Sequence, residues 1–209
     1  MKFVFFSIFL LNLVLCADDK YSMRAAYGIA SYNNLGEIIA GKPGSTGKNL
    51  SVVALDAGYL LKENLFDLPI DIYLKGGFSY FDEKVNHDTY EVLTYVKAFY
   101  NLDFLDNRVR IGLGEGFSYT SDILEVEYDE SHKNSTDILK TSRFLNYLDI
   151  TLDVDFGKLI NYKPMYGTYV GYLLKHRSGI AGLINNVEHG GSNYNCFYIE
   201  PLANSTIIN

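Results

Sequence analysis

The sequence predicts an eight-stranded antiparallel transmembrane β-barrel preceded by a cleaved signal peptide. Three observations predict this all-β fold: an apolar run at the N-terminus, period-two alternation in eight later segments, and long connections that alternate with short ones. Successive side chains of a strand point to opposite faces, so alternation gives each segment one apolar and one polar face. An even number of such strands, with loops of unequal length at the two ends, is typical of a membrane barrel.

The N-terminal segment has the features of a secretory signal peptide. Lys2 is followed by an apolar run over residues 3–15 and then by the small residues Cys16 and Ala17. A short basic start, an apolar stretch and a small residue at the break describe such a leader. We expect a signal peptide over residues 1–17 and a single barrel domain over 18–209. Alternatively, Cys16 becomes the lipidated first residue. Cleavage after Ala17 leaves Cys196 alone, so no intramolecular disulfide is expected.

Composition excludes several other classes of protein. Hydrophobic residues make up 48% and charged residues 21% of the chain, which excludes a disordered protein. The net charge of −7 argues against a nucleic-acid partner, because nucleic-acid binders present a basic face. After the N-terminus no apolar run reaches about 20 residues, which excludes a bundle of membrane helices. The expected location is the outer membrane of a Gram-negative bacterium, and the expected partners are the lipids of that membrane. Both a monomer and a homodimer are compatible with the sequence.

The predicted strands share the alternation of apolar and polar residues, except that the last one is short and its facing is ambiguous. They cover residues 21–32, 50–61, 70–81, 90–101, 109–119, 144–156, 166–178 and about 192–200. The clearest is 144–156, in which Leu148, Ile150 and Leu152 lie on one face while Asp149 and Asp153 lie on the other. In a membrane barrel the apolar face contacts lipid, and the charges pair within the lumen.

Alternation alone also fits a soluble lipocalin-like barrel with its apolar face inside. We favour the membrane barrel because Tyr and Phe gather near the segment ends, as interfacial girdles require. The charges are also of both signs, so they can pair in a narrow lumen. The connections support this choice. Residues 33–49, 82–89, 120–143 and 179–191 are longer or more polar than 62–69, 102–108 and 157–165.

Candidate chemistry lies at the end of the seventh segment. His176 and Ser178 are two residues apart, so both extend its apolar, lipid-facing side. A polar pair there is costly unless it has a function. A hydroxyl beside an imidazole is a nucleophile beside its base, and a third group such as Glu188 would orient the ring. Backbone N–H groups near Gly179 would bind the oxyanion. The alternative is that His176 and Ser178 are ordinary rim residues.

Glu115 is a second candidate acid, because it interrupts the apolar face of the fifth segment. A charge on a lipid-facing position is destabilising, so we expect a bulge at the neighbouring glycines to turn Glu115 inward. The acidic run Glu125–Glu130 is expected to be a solvated loop, with a divalent-cation site as the alternative. His87, His132 and His189 are scattered without metal-ligand spacing, so no metal and no cofactor are expected.

The stretch His176-Arg177-Ser178-Gly179, near the C-terminus of an eight-strand chain with a leader, resembles the outer-membrane lipid A 3-O-deacylase (PagL) family. The run Gly190-Gly191-Ser192-Asn193-Tyr194 is similar to the one that opens the last strand in that family. The resemblance implies metal-free hydrolysis of an acyl ester of lipid A, with lipopolysaccharide as the substrate. It makes Ser178 the nucleophile, His176 the general base and Glu188 the orienting acid.

This chain departs from the family at two points. The family commonly has Asn after the Ser, as an oxyanion contributor, whereas Gly179 stands here. Its acid lies about a dozen residues past the Ser, whereas Glu188 lies ten past. A different class of function therefore stays open, namely a non-catalytic small barrel that serves as an adhesin or a structural membrane protein.

Overall fold

Eight antiparallel strands close into a barrel in which β1 pairs with β8 and every other pairing joins neighbours along the chain. The computed structural model describes residues 20–84, 87–134, 141–180, 182–187 and 191–202. The predicted signal peptide lies outside the described residues. The strands are β1 Tyr21–Ser31, β2 Ser51–Lys62, β3 Ile70–Asp82, β4 Thr89–Phe104, β5 Asn107–Thr120, β6 Phe144–Asp155, β7 Thr168–Ser178 and β8 Ser192–Pro201. The predicted eight-stranded barrel is confirmed.

Charged side chains point into the barrel, and large apolar side chains cover its outside. Arg24 is 2% exposed, whereas Tyr27 is 59% exposed on the opposite face of β1. The same inversion recurs around the barrel at exposed outward residues, which include Val53, Leu74, Phe78, Val92, Val96, Leu113, Phe117, Leu152 and Phe197. An apolar exterior around a polar interior is the pattern of a transmembrane barrel. The lipocalin-like alternative, which needs the opposite facing, is therefore wrong.

The lumen is filled by a network of ion pairs. Its members are the cations Arg24, Lys75, Lys97, Arg110, Lys175 and Arg177 and the carboxylates Asp56, Glu91, Glu127, Asp149, Asp153 and Glu200. Each cation contacts at least one carboxylate, and six positive charges face six negative ones. Buried charges are tolerated when they are paired and hydrogen-bonded, so this balance stabilises the charges that the lumen buries.

The connections differ at the two rims. We call the upper rim the end that carries the connections 32–50, 83–88, 121–143 and 179–191. The lower rim carries the turns 63–69, 105–106 and 156–167. The described parts of these connections contain three short helices, α1 Leu35–Ile39, α2 Glu125–Asn134 and α3 Phe156–Leu159, and 3-10 turns at Leu65–Asp67 and Lys163–Met165. In the described part of the chain, no helix is both long enough and apolar enough to span a membrane.

Helix α2 closes the upper mouth of the barrel, so the expectation of a solvated loop over Glu125–Glu130 is wrong. Leu124 and Val126 are fully buried in a cluster that includes Phe81. Glu127 reaches the wall, where its Oε1 accepts from Arg177 Nη1 at 2.5 Å and from Ser192 Oγ at 2.8 Å. Glu127 was hard to place from sequence, because its counter-charge Arg177 lies about fifty residues away on β7.

Candidate active site at the upper end of β7

His176 and Ser178 lie on the outward face of β7, at its upper end. Strand register sets their neighbours: His176 is paired with Leu148 on one side and Asn193 on the other, and Ser178 is paired with Asn146. Two residues along a strand span roughly 6.6 Å, so an imidazole and a hydroxyl on the same face are adjacent side chains. Both side chains are half-buried. The two side chains therefore lie on the outward face of β7, as the sequence predicts.

The imidazole of His176 is held by Asn193 on β8. His176 Nδ1 and Asn193 Oδ1 are 2.7 Å apart. Asn193 is only 9% exposed although it points outward, because the β1–β2 connection covers it. Its Nδ2 donates to the backbone oxygen of Asn33 at 3.0 Å. The ring is therefore fixed through an amide that is itself fixed by the chain above β1.

The Ser178 hydroxyl makes no hydrogen bond to His176, or to any other group, within the described residues. The backbone around it is tightly packed: a Cβ atom added at Gly191 would lie 2.6 Å from the Arg177 oxygen and 3.5 Å from Ser178 Cα. Only glycine fits beside this strand end at that separation. The hydroxyl is thus on a close-packed backbone, with an imidazole as its neighbour along the strand.

Gly179, the predicted oxyanion contributor, is buried where the chain leaves β7. A Cβ atom at this position would lie 2.0 Å from the Val187 oxygen, so a side chain cannot be accommodated without moving the turn. Two backbone hydrogen bonds close that turn, from Ile184 N to Gly179 O at 2.9 Å and from Gly182 N to Val187 O at 3.0 Å. Glu188, the predicted orienting acid, lies outside the described residues.

Glu115 points outward, so the expectation of an inward turn is wrong. The ladder between β5 and β6 runs without a register shift, and Glu115 is paired with Val96 and Leu148 on the lipid-facing surface. Its carboxylate accepts a hydrogen bond from Asn146 Nδ2, which also donates to the Gly116 oxygen at 3.0 Å. The flanking glycines face the lumen instead, where Gly114 makes room for Tyr95 and Lys97.

Motif analysis missed the outward amides near the pair, of which Asn146 and Asn193 are the register neighbours of Ser178 and His176. Asn146 lies beside Ser178, Asn193 holds His176, and Asn195 lies one outward position below Asn193. Asn195 Nδ2 donates to the Pro43 oxygen at 2.8 Å, and its Oδ1 accepts from the Tyr172 hydroxyl. The sequence could have indicated these residues, because each is an amide at an outward position that a membrane barrel normally fills with an apolar residue.

The arrangement suits chemistry on a lipid rather than on a water-soluble molecule. It combines a hydroxyl, an oriented imidazole and hydrogen-bonding amides on a surface that otherwise faces acyl chains. Over the ranges that the structure describes, no group of three or more His, Cys, Asp or Glu side chains is arranged to hold a metal ion.

Two solved structures are similar in fold to this chain. One is the outer membrane enzyme PagL, with a TM-score of 0.58 and 14% identity over 86% of this chain and 98% of that chain. The other is Neisserial surface protein A (NspA), with a TM-score of 0.48 and 11% identity over 88% of this chain and 97% of that chain. No protein-family model and no curated protein sequence matches the chain. The first likeness supports an eight-stranded membrane barrel as the class of protein.

Proposed function

We propose that this protein is an outer-membrane esterase that removes an ester-linked (3-O) acyl chain from the lipid A of lipopolysaccharide. Ser178 is the nucleophile, His176 is the general base, and the backbone at Gly179 contributes to the oxyanion site. The family resemblance implies Glu188 as the acid that orients His176. A cleaved leader over residues 1–17 directs export, and the upper rim lies in the outer leaflet. The reaction needs no metal and no cofactor.

One observation carries the proposal: an imidazole held by a hydrogen bond lies beside a serine on the lipid-facing surface. The 2.7 Å contact between His176 Nδ1 and Asn193 Oδ1 gives the ring one orientation. A hydroxyl with an oriented imidazole beside it is the nucleophile–base arrangement of acyl transfer. The resemblance of the His176–Gly179 stretch to the lipid A deacylase family and the shared fold with PagL point the same way.

The surface around the pair suits an amphiphilic substrate that enters from the side. Below it, Leu152 and Phe197 are exposed and would contact acyl chains already in the leaflet. Beside it, the carboxylate of Glu115 and the amide of Asn146 offer polar contacts to a sugar headgroup. Binding of the acyl chains would position the ester next to Ser178 before any chemistry occurs.

A non-catalytic barrel, serving as an adhesin or a structural membrane protein, is the second candidate. It is favoured by a single observation: within the described residues no hydrogen bond joins Ser178 to His176. In that case His176 and Ser178 would tolerate alanine, and the upper connections would carry the binding.

The two candidates are separated by mass spectrometry of lipid A from cells that express the wild-type chain, Ser178→Ala or His176→Ala. Assembly of each barrel is checked by the gel mobility of unheated samples. Loss of one hydroxyacyl chain in the wild type only is the result that the esterase predicts. Unchanged lipid A in all three strains, with assembled barrels, would overturn it in favour of the non-catalytic barrel.

A further inference from the structure

We infer that Asn193 is the residue that orients His176 for catalysis, so that the group acting on the substrate is Ser178–His176–Asn193. This inference rests on the proposed function and deepens it. It assigns to an uncharged amide the positioning role that sequence reasoning gave to Glu188. Asn193 acts through His176 and is a positioning residue rather than a catalytic one.

The hydrogen bonds fix which atom of the amide faces the ring. Asn193 Nδ2 lies 3.0 Å from the backbone oxygen of Asn33, and a carbonyl oxygen only accepts hydrogen bonds. The amide nitrogen is therefore the group that faces Asn33, and Oδ1 is the group that faces His176. An amide oxygen accepts but cannot donate, so His176 Nδ1 must carry the proton in this 2.7 Å contact.

The tautomer that follows is the one that a general base needs. With the proton on Nδ1, the lone pair of a neutral imidazole is on Nε2. In acyl transfer, Ser178 Oγ would attack the ester carbonyl carbon while its proton passes to Nε2. The same proton would then go to the departing alkoxide, and water would release the acyl group from the serine by the reverse sequence.

The anchor of Asn193 is itself rigid. Asn33 N donates to Ser31 Oγ at 3.1 Å, and Asn33 Nδ2 donates to the Lys42 oxygen at 2.9 Å. Ser31 Oγ in turn donates to the Pro43 oxygen at 2.6 Å. The β1–β2 connection is thereby tied back on itself above β8. An amide fixed by a rigid carbonyl would lose little freedom on orienting the ring.

Asn195 provides a matched control on the same strand and the same face. Its amide also ties β8 to the β1–β2 connection, through the Pro43 oxygen at 2.8 Å, but it accepts from Tyr172 rather than from His176. Asn193→Ala and Asn195→Ala therefore each remove one amide anchor, and only the first frees the imidazole. A general loosening of the connection would affect both variants alike.

The experiment measures the reaction of the purified barrel in detergent with a lipophilic fluorophosphonate, together with nitrogen-15 NMR of its imidazoles. In the labelling step Ser178 Oγ bonds to phosphorus, fluoride leaves, and the hydroxyl proton passes to His176. The chain has four histidines, so the His176 signals are assignable by comparison with His176→Ala. The variants compared with the wild type are Asn193→Ala, Asn195→Ala and Glu188→Gln.

We expect Asn193→Ala to lower the labelling rate constant about 10–100-fold, which is less than the roughly 10²–10⁴-fold that general base catalysis contributes, since the base itself is still present. We also expect this variant to lose the single-tautomer NMR signature. Asn195→Ala should keep that signature, and its labelling rate should stay within about threefold of the wild type. A Glu188→Gln variant that loses the signature, with Asn193→Ala unchanged, would overturn the inference. A wild type that is never labelled at Ser178 would instead overturn the proposed function.

Discussion

Arg177 on β7 and Glu127 on helix α2 form a hydrogen-bonded ion pair inside the barrel, with 2.5 Å between Nη1 and Oε1. Arg177 is the residue between His176 and Ser178 in the chain, so the strand segment that presents the site outward is held on its inner side by the helix that closes the mouth. The same guanidinium also donates to the Ser118 hydroxyl at 2.8 Å and to the Arg143 oxygen at 3.0 Å.

Glu127→Ala should destabilise the barrel by about 3 kcal/mol, because the buried Arg177 guanidinium then keeps, among the described residues, only its longer 3.6 Å ion pair with Glu91. Urea unfolding in detergent–lipid micelles measures the change in the free energy of unfolding. Because the chain contains no Trp, unfolding is followed by tyrosine fluorescence or circular dichroism. Asp122→Ala is the control, since its pair with Arg143 lies at 3.6 Å on the surface and should contribute less than about 1 kcal/mol. Equal losses in both variants would contradict the role of Arg177 as an inner anchor.

Glu83 should make the stability of the barrel depend on pH. Burial, aided by the carboxylates of Glu125 and Glu127, raises the pKa of Glu83 from about 4.5 to about 7. The folded protein therefore binds more protons than the unfolded chain between these values, so stability falls as pH rises through this window and then levels off. We expect the wild type to lose about 1–3 kcal/mol more than Glu83→Gln between pH 5 and pH 8.

The control for this prediction is Asp82→Asn, which changes the preceding residue and removes a surface pair with Lys84. Its pH dependence should match that of the wild type. If Glu83→Gln retained the full pH dependence of unfolding, Glu83 would not be the group that takes up the proton.

Gly179→Ala should destabilise the upper end of β7 by about 1–3 kcal/mol, because the added methyl group would overlap the Val187 backbone oxygen. Increased protease cleavage within 179–187 should accompany it. Gly76→Ala is the matched control, since its Cβ atom would meet the Leu93 oxygen at 3.5 Å, an ordinary contact. A Gly179→Ala barrel as stable and as resistant as Gly76→Ala would show that the turn does not need glycine.

Glu115→Leu should stabilise the barrel in a lipid bilayer by about 1 kcal/mol, because it replaces a lipid-facing carboxylate with an apolar side chain. If Glu115 contacts the sugar headgroup, deacylation by this more stable variant should nevertheless fall. Leu113→Ile is the control at the neighbouring outward position, and neither stability nor activity should change. Full activity in Glu115→Leu would assign Glu115 no part in substrate binding.

The barrel could be predicted from sequence because the alternation of apolar and polar residues is a local pattern. Leu148, Asp149 and Ile150 alternate along β6, and the same period of two recurs in the other strands. The placement of His176 and Ser178 followed from that period alone. Helix α2 could not be predicted, since Glu127 is stabilised by a charge on a distant strand. The contact between Asn193 and His176 depends on the register of β8 against β7, which the ambiguous facing of the last segment did not give.

The proposed esterase activity is tested most directly by hydrolysis of purified lipid A with the purified wild-type barrel and with Ser178→Ala, carried out in water enriched in heavy oxygen. We expect only the wild type to release a hydroxy fatty acid, and we expect its carboxyl group to carry heavy oxygen, since water cleaves the acyl–serine bond. A folded wild type that releases no fatty acid, or a Ser178→Ala variant that releases it at the same rate, would contradict this activity.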